Sequence, residues 1–157
     1  MEKKVKDLVT PLTDYPHLPY WATLKEAFIQ LSSALESGIN TVLVFNEAYR
    51  LVGILSPADI LRGIEPKFAQ HYEEGVPVFW SDLLAGSVSK KLMDPIKEFM
   101  TPARAIIESS DDILKASHLM LTENQEILVV QEKGKIIGVV TLTAILQKII
   151  EVLMDRE

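Results

Sequence analysis

One stretch decides the fold, Gly53-Ile54-Leu55-Ser56-Pro57-Ala58-Asp59, where a buried strand is predicted to turn directly into a helix. Ser56 is a favoured N-cap residue, Pro57 suits the first helical position, and Asp59 can accept from free backbone N–H groups. Such a helix start also presents a positive dipole end to an anion such as phosphate. Taken alone, however, Ser-x-x-Asp is most often only a capping box.

A second copy of this pattern raises its significance. Gly138-Val139-Val140-Thr141-Leu142-Thr143-Ala144 repeats the glycine, the apolar residues and the hydroxyl residue at an offset of 85 residues. The strand Val42-Leu43-Val44-Phe45 matches Ile127-Leu128-Val129-Val130 at the same offset. Further upstream, Val9-Thr10-Pro11 corresponds to Met100-Thr101-Pro102. The chain is therefore predicted to contain two tandem copies of one unit.

Each copy also has an amphipathic helix before its strands. Leu24-Lys25-Glu26-Ala27 corresponds to Ile113-Leu114-Lys115-Ala116 at an offset of 89 residues, four more than the offset of the strands. Four residues make about one helical turn, so the first helix is predicted to be one turn longer. Ser110 or Asp111 is the expected N-cap of the second helix. Each unit then reads as turn, helix, strand, strand, helix.

This duplicated pattern resembles a tandem pair of cystathionine-beta-synthase (CBS) domains, a stand-alone Bateman-type module. The resemblance covers about residues 5–64 and 94–154. It implies an α/β (α+β) fold of two tandem β-α-β-β-α units packed about a pseudo-twofold axis, with adenine-nucleotide pockets in the clefts between them. It implies no chemistry, because such modules sense ligands and regulate attached or associated proteins.

Between the units lies a connector that proline and glycine punctuate. Its length favours short helices near residues 68–73 and 81–84. Its apolar segment Val76-Pro77-Val78-Phe79-Trp80 either packs back on its own domain, which is favoured, or contacts a partner. The predicted boundaries are 1–64 for the first unit, 65–94 for the connector and 95–157 for the second unit.

The segment Asp14 to Trp21 has two prolines where CBS domains usually form a short strand. Proline removes a donor from a strand ladder, so an edge or irregular segment is expected. Its aromatic side chains, Tyr15, Tyr20 and Trp21, either cover the edge of the core, which is favoured, or form the wall of a pocket.

Composition limits the function classes. The chain has 157 residues, no cysteine, three histidines in unrelated elements and a formal net charge of −6, so metal and nucleic-acid sites are not expected. No base, nucleophile or metal set is assembled, so an enzyme is not expected either. No apolar run approaches the length of a membrane span, which favours a soluble cytoplasmic protein.

The resemblance also implies a ligand site. In the family, the motif Asp binds the ribose hydroxyls and the helix N-terminus with its Ser or Thr meets the phosphate. The adenine would lie between apolar residues of the opposite repeat, and a nearby arginine would assist with phosphate. The implied ligand-binding residues are Ser56 and Asp59 in the first motif, Thr101, Ala103, Arg104 and Ile106 in the opening stretch of the second repeat, and Val139 beneath them.

Glu126 argues against a polyphosphate, because it stands where some family members place a basic phosphate ligand. If half-buried, its carboxylate would repel further phosphates by an amount on the order of one to a few kcal/mol. AMP, adenosine or S-adenosylmethionine is therefore favoured over ATP, and no cofactor is expected. Since Ala144 offers no acceptor at the position of Asp59, one ligand per chain is expected.

The last helix carries an apolar stripe wider than one intramolecular face needs. Family modules commonly pair through these helices, so a homodimer is expected, as is an unidentified regulated protein. The alternative function is a dimerisation or scaffold module with vestigial pockets. The stripe contains Leu142, Ile145, Leu146, Ile149 and Leu153, widened by Ile150 and Val152.

Overall fold

The computed structural model describes residues 3–65, 86, 88–103 and 105–155, and this part of the chain has a mixed α/β fold. The strands are β1 (Thr10–Pro11), β2 (His17–Pro19), β3 (Val42–Phe45), β4 (Leu51–Leu55), β5 (Thr101–Pro102), β6 (Ile106–Glu108), β7 (Ile127–Glu132) and β8 (Lys135–Thr141). The α-helices are α1 (Leu24–Ala34), α2 (Pro57–Ile64), α3 (Ser89–Lys91), α4 (Ile113–Glu123) and α5 (Leu142–Met154). The predicted fold class is confirmed. The predicted connector helices and the segment Val76 to Trp80 lie outside the described residues.

The chain divides into two compact units. The first, called the Asp59 unit, is Pro16–Pro102, and the second, called the Ala144 unit, combines Met1–Tyr15 with Ala103–Glu157. Each unit contains one four-stranded sheet, ordered β2-β3-β4-β5 in the Asp59 unit and β1-β8-β7-β6 in the Ala144 unit. Within each sheet one pair is parallel, β2 with β3 and β6 with β7, and the other pairs are antiparallel.

In each unit, residues of the sheet and of the helices form one apolar core. The central strand β3 is buried at every position, as is Ile127 to Val130 in β7, which explains their continuous apolar sequence. In the Asp59 unit the core contains Ala22, Leu24, Ala27, Leu31, Val42, Val44, Leu55, Ile60, Ile64, Ile96 and Phe99. In the Ala144 unit it contains Val5, Ile107, Ala116, Met120, Leu128, Val130, Val140 and Ile145.

The proline-containing segment forms an edge strand, as predicted. β2 pairs only with β3 in the sheet order, so its prolines leave no gap in a central ladder. Pro16 still contributes its carbonyl, which accepts from Leu43 N at 3.0 Å. The aromatic residues differ in burial, since Tyr15 is 4% exposed and Trp21 is 55% exposed.

The two long upstream helices are equal in length, because α1 and α4 each have 11 residues. The additional residues of the first repeat form a 3-10 turn, Leu35–Ser37, which ends at Gly38 in the left-handed conformation. The N-cap of α4 is Asp112, without a side-chain capping bond, so the expectation of Ser110 or Asp111 was wrong. The Asp111 carboxylate instead accepts from Glu108 N and Lys115 Nζ.

The short Thr-Pro strands complete the sheets in a crossed manner. β5, which opens the second repeat in sequence, pairs with β4 of the Asp59 unit, where Thr101 lies opposite Ile54. β1, which opens the first repeat, pairs with β8 of the Ala144 unit, where Thr10 lies opposite Val139. Thr101 and Thr10 therefore occupy equivalent positions in the two sheets.

The repeated motif glycines permit these pairings. A Cβ atom on Gly53 would lie 2.6 Å from Met100 Sδ and 2.9 Å from the carbonyl oxygen of Thr101. A Cβ atom on Gly138 would lie 2.1 Å from the carbonyl oxygen of Thr10. No larger residue fits at these distances. The glycines therefore allow each Thr-Pro strand to pair closely with the strand that leads into the motif helix.

Replacing Gly138 with alanine should destabilise the protein by about 1–3 kcal/mol, because the new Cβ must push β1 away from β8. Equilibrium unfolding in urea measures this change. Gly86→Ala is the matched control, since no atom of the described residues lies within 4 Å of the added Cβ, and its stability should stay within about 0.5 kcal/mol of wild type. Equal effects of the two substitutions would contradict the close-approach explanation.

Candidate functional site

The start of α2 is a complete capping box. Asp59 N donates to Ser56 Oγ at 3.2 Å, and Ser56 N donates to Asp59 Oδ2 at 3.0 Å. Ser56 Oγ also donates to Asp59 Oδ2 at 2.9 Å. Ser56 has extended backbone angles and Pro57 takes the first helical position, as the sequence predicts.

The second carboxylate oxygen of Asp59 is also bonded. Thr101 Oγ1 donates to Asp59 Oδ1 at 2.5 Å, the short distance typical of a hydroxyl donating to a charged carboxylate. Arg62 Nη1 donates to the same oxygen at 3.2 Å. The Asp59 side chain is 5% exposed, whereas that of Arg62 is 70% exposed. The site is therefore a buried carboxylate that holds four hydrogen bonds.

Thr101 reaches this carboxylate because of the sheet. β5 is the strand next to β4, and β4 leads through Ser56 directly into α2. The missing side chain at Gly53 lets the β5 backbone approach, as described above. A local sequence motif and a residue 42 positions away thus combine at one carboxylate.

The Ala144 unit contains the same scaffold without the carboxylate. Thr141 is the N-cap of α5, and its Oγ1 accepts from Ala144 N at 3.0 Å. Ala144 is the residue that corresponds to Asp59, and Thr10 corresponds to Thr101 in the strand pairing. This helix start is therefore capped by a hydroxyl group alone.

The profile of the family described as CBS domain matches residues 5–66 and 96–151, most of the chain. The chain belongs to the CBS domain family. A curated relative, an uncharacterised protein of Chlamydia trachomatis, is 28% identical over 121 residues, which are 77% of this chain and 30% of the relative. A relative from Chlamydia muridarum is 27% identical over the same shares. The chain thus spans about 30% of the length of these curated relatives.

Solved structures share the CBS fold. The CBS-pair protein CBSX2 from Arabidopsis thaliana superposes with a TM-score of 0.73 at 20% identity, covering 98% of this chain and 99% of that one. CBSX2 in complex with AMP gives 0.66 at 22% identity, covering 95% and 97%. A CBS domain-containing protein from Bacillus anthracis gives 0.72 at 20% identity, covering 95% and 94%. At these identities the likeness concerns the fold.

Three of the predicted site residues come together, namely Ser56, Asp59 and Thr101, all in the Asp59 unit. Thr101 was expected to contact the ligand from the opening stretch of the second repeat, and its hydroxyl donates to the Asp59 carboxylate. Arg62 was missed, although its spacing of three residues from Asp59 on a helix is a signal for such an ion pair.

The remaining predicted residues belong to the Ala144 unit. Ile106 and Val139 lie on either side of Val129 in one row of the sheet, and Val139 is fully buried whereas Ile106 is 43% exposed. Ala103 is half-buried, and Arg104 lies outside the described residues.

Three further observations concern surface charge, metal binding and membrane crossing. Glu126 is exposed, so solvent and salt screen the charge of its carboxylate. Among the described residues, no group of three or more histidine or carboxylate side chains is arranged to hold a metal ion. No helix in the described ranges is long and apolar enough to cross a membrane.

Asp59→Asn should lower the free energy of unfolding by about 1–3 kcal/mol. The asparagine amide nitrogen is a donor, so it would face buried hydrogen-bond donors that now bond to a carboxylate oxygen. Urea unfolding tests this against Asp112→Asn, which also alters an aspartate at a helix start. Asp112 is exposed, and among the described residues its carboxylate pairs with Lys4 at 2.8 Å, so the loss of this exposed ion pair should cost less than about 1 kcal/mol. A negligible effect at Asp59 would mean that its four bonds contribute little.

Proposed function

We propose that the chain is a regulatory, non-catalytic module that binds an adenosine-type ligand through Asp59. The observation that carries this proposal is the difference between the two helix starts. α5 is capped by Thr141 without any carboxylate, so capping alone does not require the buried charge at Asp59. Burying a carboxylate is costly unless it is fully paired, and such groups concentrate at functional sites.

The chemistry of the site suits a ribose ring. A carboxylate accepts hydrogen bonds from two neighbouring hydroxyl groups, and bonds to a charged acceptor are stronger than neutral ones. The N-terminus of α2 suits a phosphate, with Ser56 beside it. The AMP bound to CBSX2, a protein of the same fold, supports a ligand of this class.

Within this class, AMP, adenosine and S-adenosylmethionine are proposed ahead of ATP. The Glu126 carboxylate would repel additional phosphates, and because that residue is exposed, the discrimination against ATP should be modest. Roles for Ala103, Arg104, Ile106 and Val139 in holding the base or phosphate remain part of the proposal.

The competing function is a dimerisation or scaffold module, and one observation favours an assembly of this kind. The helix α5 leaves Leu146, Ile149 and Leu153 between 51% and 58% exposed. Ile149 and Leu153 also border a cleft of about 490 Å³ within the Ala144 unit. Exposed apolar surface of this kind marks interaction sites, so we include a homodimer through α5 in the proposal, with a regulated protein as a further partner.

Calorimetric titration of ligand-stripped protein with AMP, adenosine, S-adenosylmethionine and ATP tests the ligand proposal. Binding should saturate near one ligand per chain, because Ala144 offers no ribose acceptor. Asp59→Asn should weaken binding roughly ten- to a hundredfold, the effect of removing hydrogen bonds to a charged group, whereas Asp112→Asn should leave it unchanged. Absence of binding to all four compounds would favour the scaffold function, and two equal sites per chain would contradict the assignment to Asp59.

Sedimentation velocity tests the homodimer. Ile149→Lys places a charge in the exposed apolar face of α5 and should shift the protein to monomer, because a buried unpaired charge costs several kcal/mol at an interface. Gln147→Lys changes an exposed polar position of the same helix by the same charge and should leave the dimer intact. A monomeric wild type, or a dimer that survives Ile149→Lys, would exclude this interface.

A further inference from the structure

The acceptor positions of Asp59 are already filled by the protein. A carboxylate offers about four lone-pair positions. Two are taken on Oδ2 by the backbone N and the Oγ of Ser56, and two on Oδ1 by Thr101 Oγ1 and Arg62 Nη1. With the side chain 5% exposed, a ligand hydroxyl can bind Asp59 only by replacing one of these donors.

The four donors differ in how readily they can leave. The backbone N of Ser56 is fixed by the helix start, and the Ser56 hydroxyl is also held by Asp59 N. Arg62 is 70% exposed and makes the longest of the four bonds, 3.2 Å, so its guanidinium can exchange Asp59 for water at little cost. Thr101 makes the shortest bond, 2.5 Å, and it is a hydroxyl group, the same kind of donor as a ribose hydroxyl.

We propose that the Thr101 hydroxyl is an internal competitor for the ribose, which holds the ligand position on Asp59 until a diol displaces it. This inference rests on the proposed function, since it concerns the same carboxylate. Thr101 then acts as a residue that sets affinity and favours ligands with ribose hydroxyl groups, because such a hydroxyl can replace its bond to the carboxylate in kind.

The competition also couples the ligand to the backbone. Thr101 belongs to β5, and its bond to Asp59 ties this strand to α2. A diol that takes its place releases this tie, while the pairing of β5 with β4 keeps the strand in the sheet. Ligand binding should therefore loosen β5 from α2 without unfolding the unit.

The other unit supplies a matched control. Thr10 has the same strand position opposite β8 that Thr101 has opposite β4. The motif helix of the Ala144 unit has Ala144 at the position of Asp59, so Thr10 has no carboxylate there for which it could compete with a ligand. Thr10→Val therefore makes the same chemical change in an equivalent strand without touching the proposed competition.

The test is calorimetric titration of AMP into the ligand-stripped wild type, Thr101→Val, Thr101→Ser and Thr10→Val. Valine keeps the shape of threonine and removes only the hydroxyl, so Thr101→Val should bind AMP about three- to tenfold more tightly, the modest net worth of one hydrogen bond. Thr101→Ser keeps the hydroxyl and Thr10→Val leaves the site intact, so both should bind as wild type does.

A second ligand separates competition from a general structural effect. AMP lacking both the 2′ and the 3′ hydroxyl cannot replace Thr101 on the carboxylate, so Thr101→Val should give no gain in its affinity. A gain equal to that for AMP would overturn the inference, because a structural effect would favour both compounds. Should Thr101→Val fail to fold, Thr101→Ala removes the same hydroxyl and carries the same expectations.

The outcomes distinguish this inference from the function on which it rests. If the wild type binds no adenosine compound, the proposed function fails and the competition with it. If the wild type binds AMP and Thr101→Val binds it equally or less tightly, only the inference is overturned. Weaker binding by Thr101→Val would make the Thr101 hydroxyl a ligand contact instead.

Discussion

The close approach of β5 to Gly53 is the constraint on which the candidate site depends. A side chain at this position would collide with Met100 and with the carbonyl oxygen of Thr101. Because glycine leaves that space open, Thr101 comes within 2.5 Å of Asp59 and helps to satisfy a charge that is otherwise expensive to bury. The glycine of the motif and the carboxylate of the motif thus depend on each other, although they lie on different elements.

The repeated scaffold allows one unit to serve as a reference for the other. In both sheets a Thr-Pro strand pairs with a strand that contains the motif glycine, and both motif helices begin with a hydroxyl N-cap residue. The carboxylate and its arginine partner distinguish the Asp59 unit. This comparison separates what the fold needs, a capped helix and a closely packed strand, from the additional charge that the proposed ligand site uses.

Much of the fold could be predicted because its signals are local. The capping box of Ser56 and Asp59, the apolar run of β3 and the prolines of the edge strand are patterns within a few residues. The bond from Thr101 to Asp59 could not be predicted, because it depends on strand pairing across 42 positions. The cap of α4 was misplaced because Ser110, Asp111 and Asp112 are consecutive residues of types that favour an N-cap, and Asp112 begins the helix without the side-chain bond that would mark it.

A crystal structure of the protein grown with AMP would show whether Asp59 is the ribose acceptor. We expect the ribose hydroxyls within hydrogen-bonding distance of the Asp59 carboxylate, the Thr101 hydroxyl displaced from Oδ1, and no nucleotide at the start of α5. AMP bound beside Ala144, or bound elsewhere while Thr101 still donates to Asp59, would contradict it.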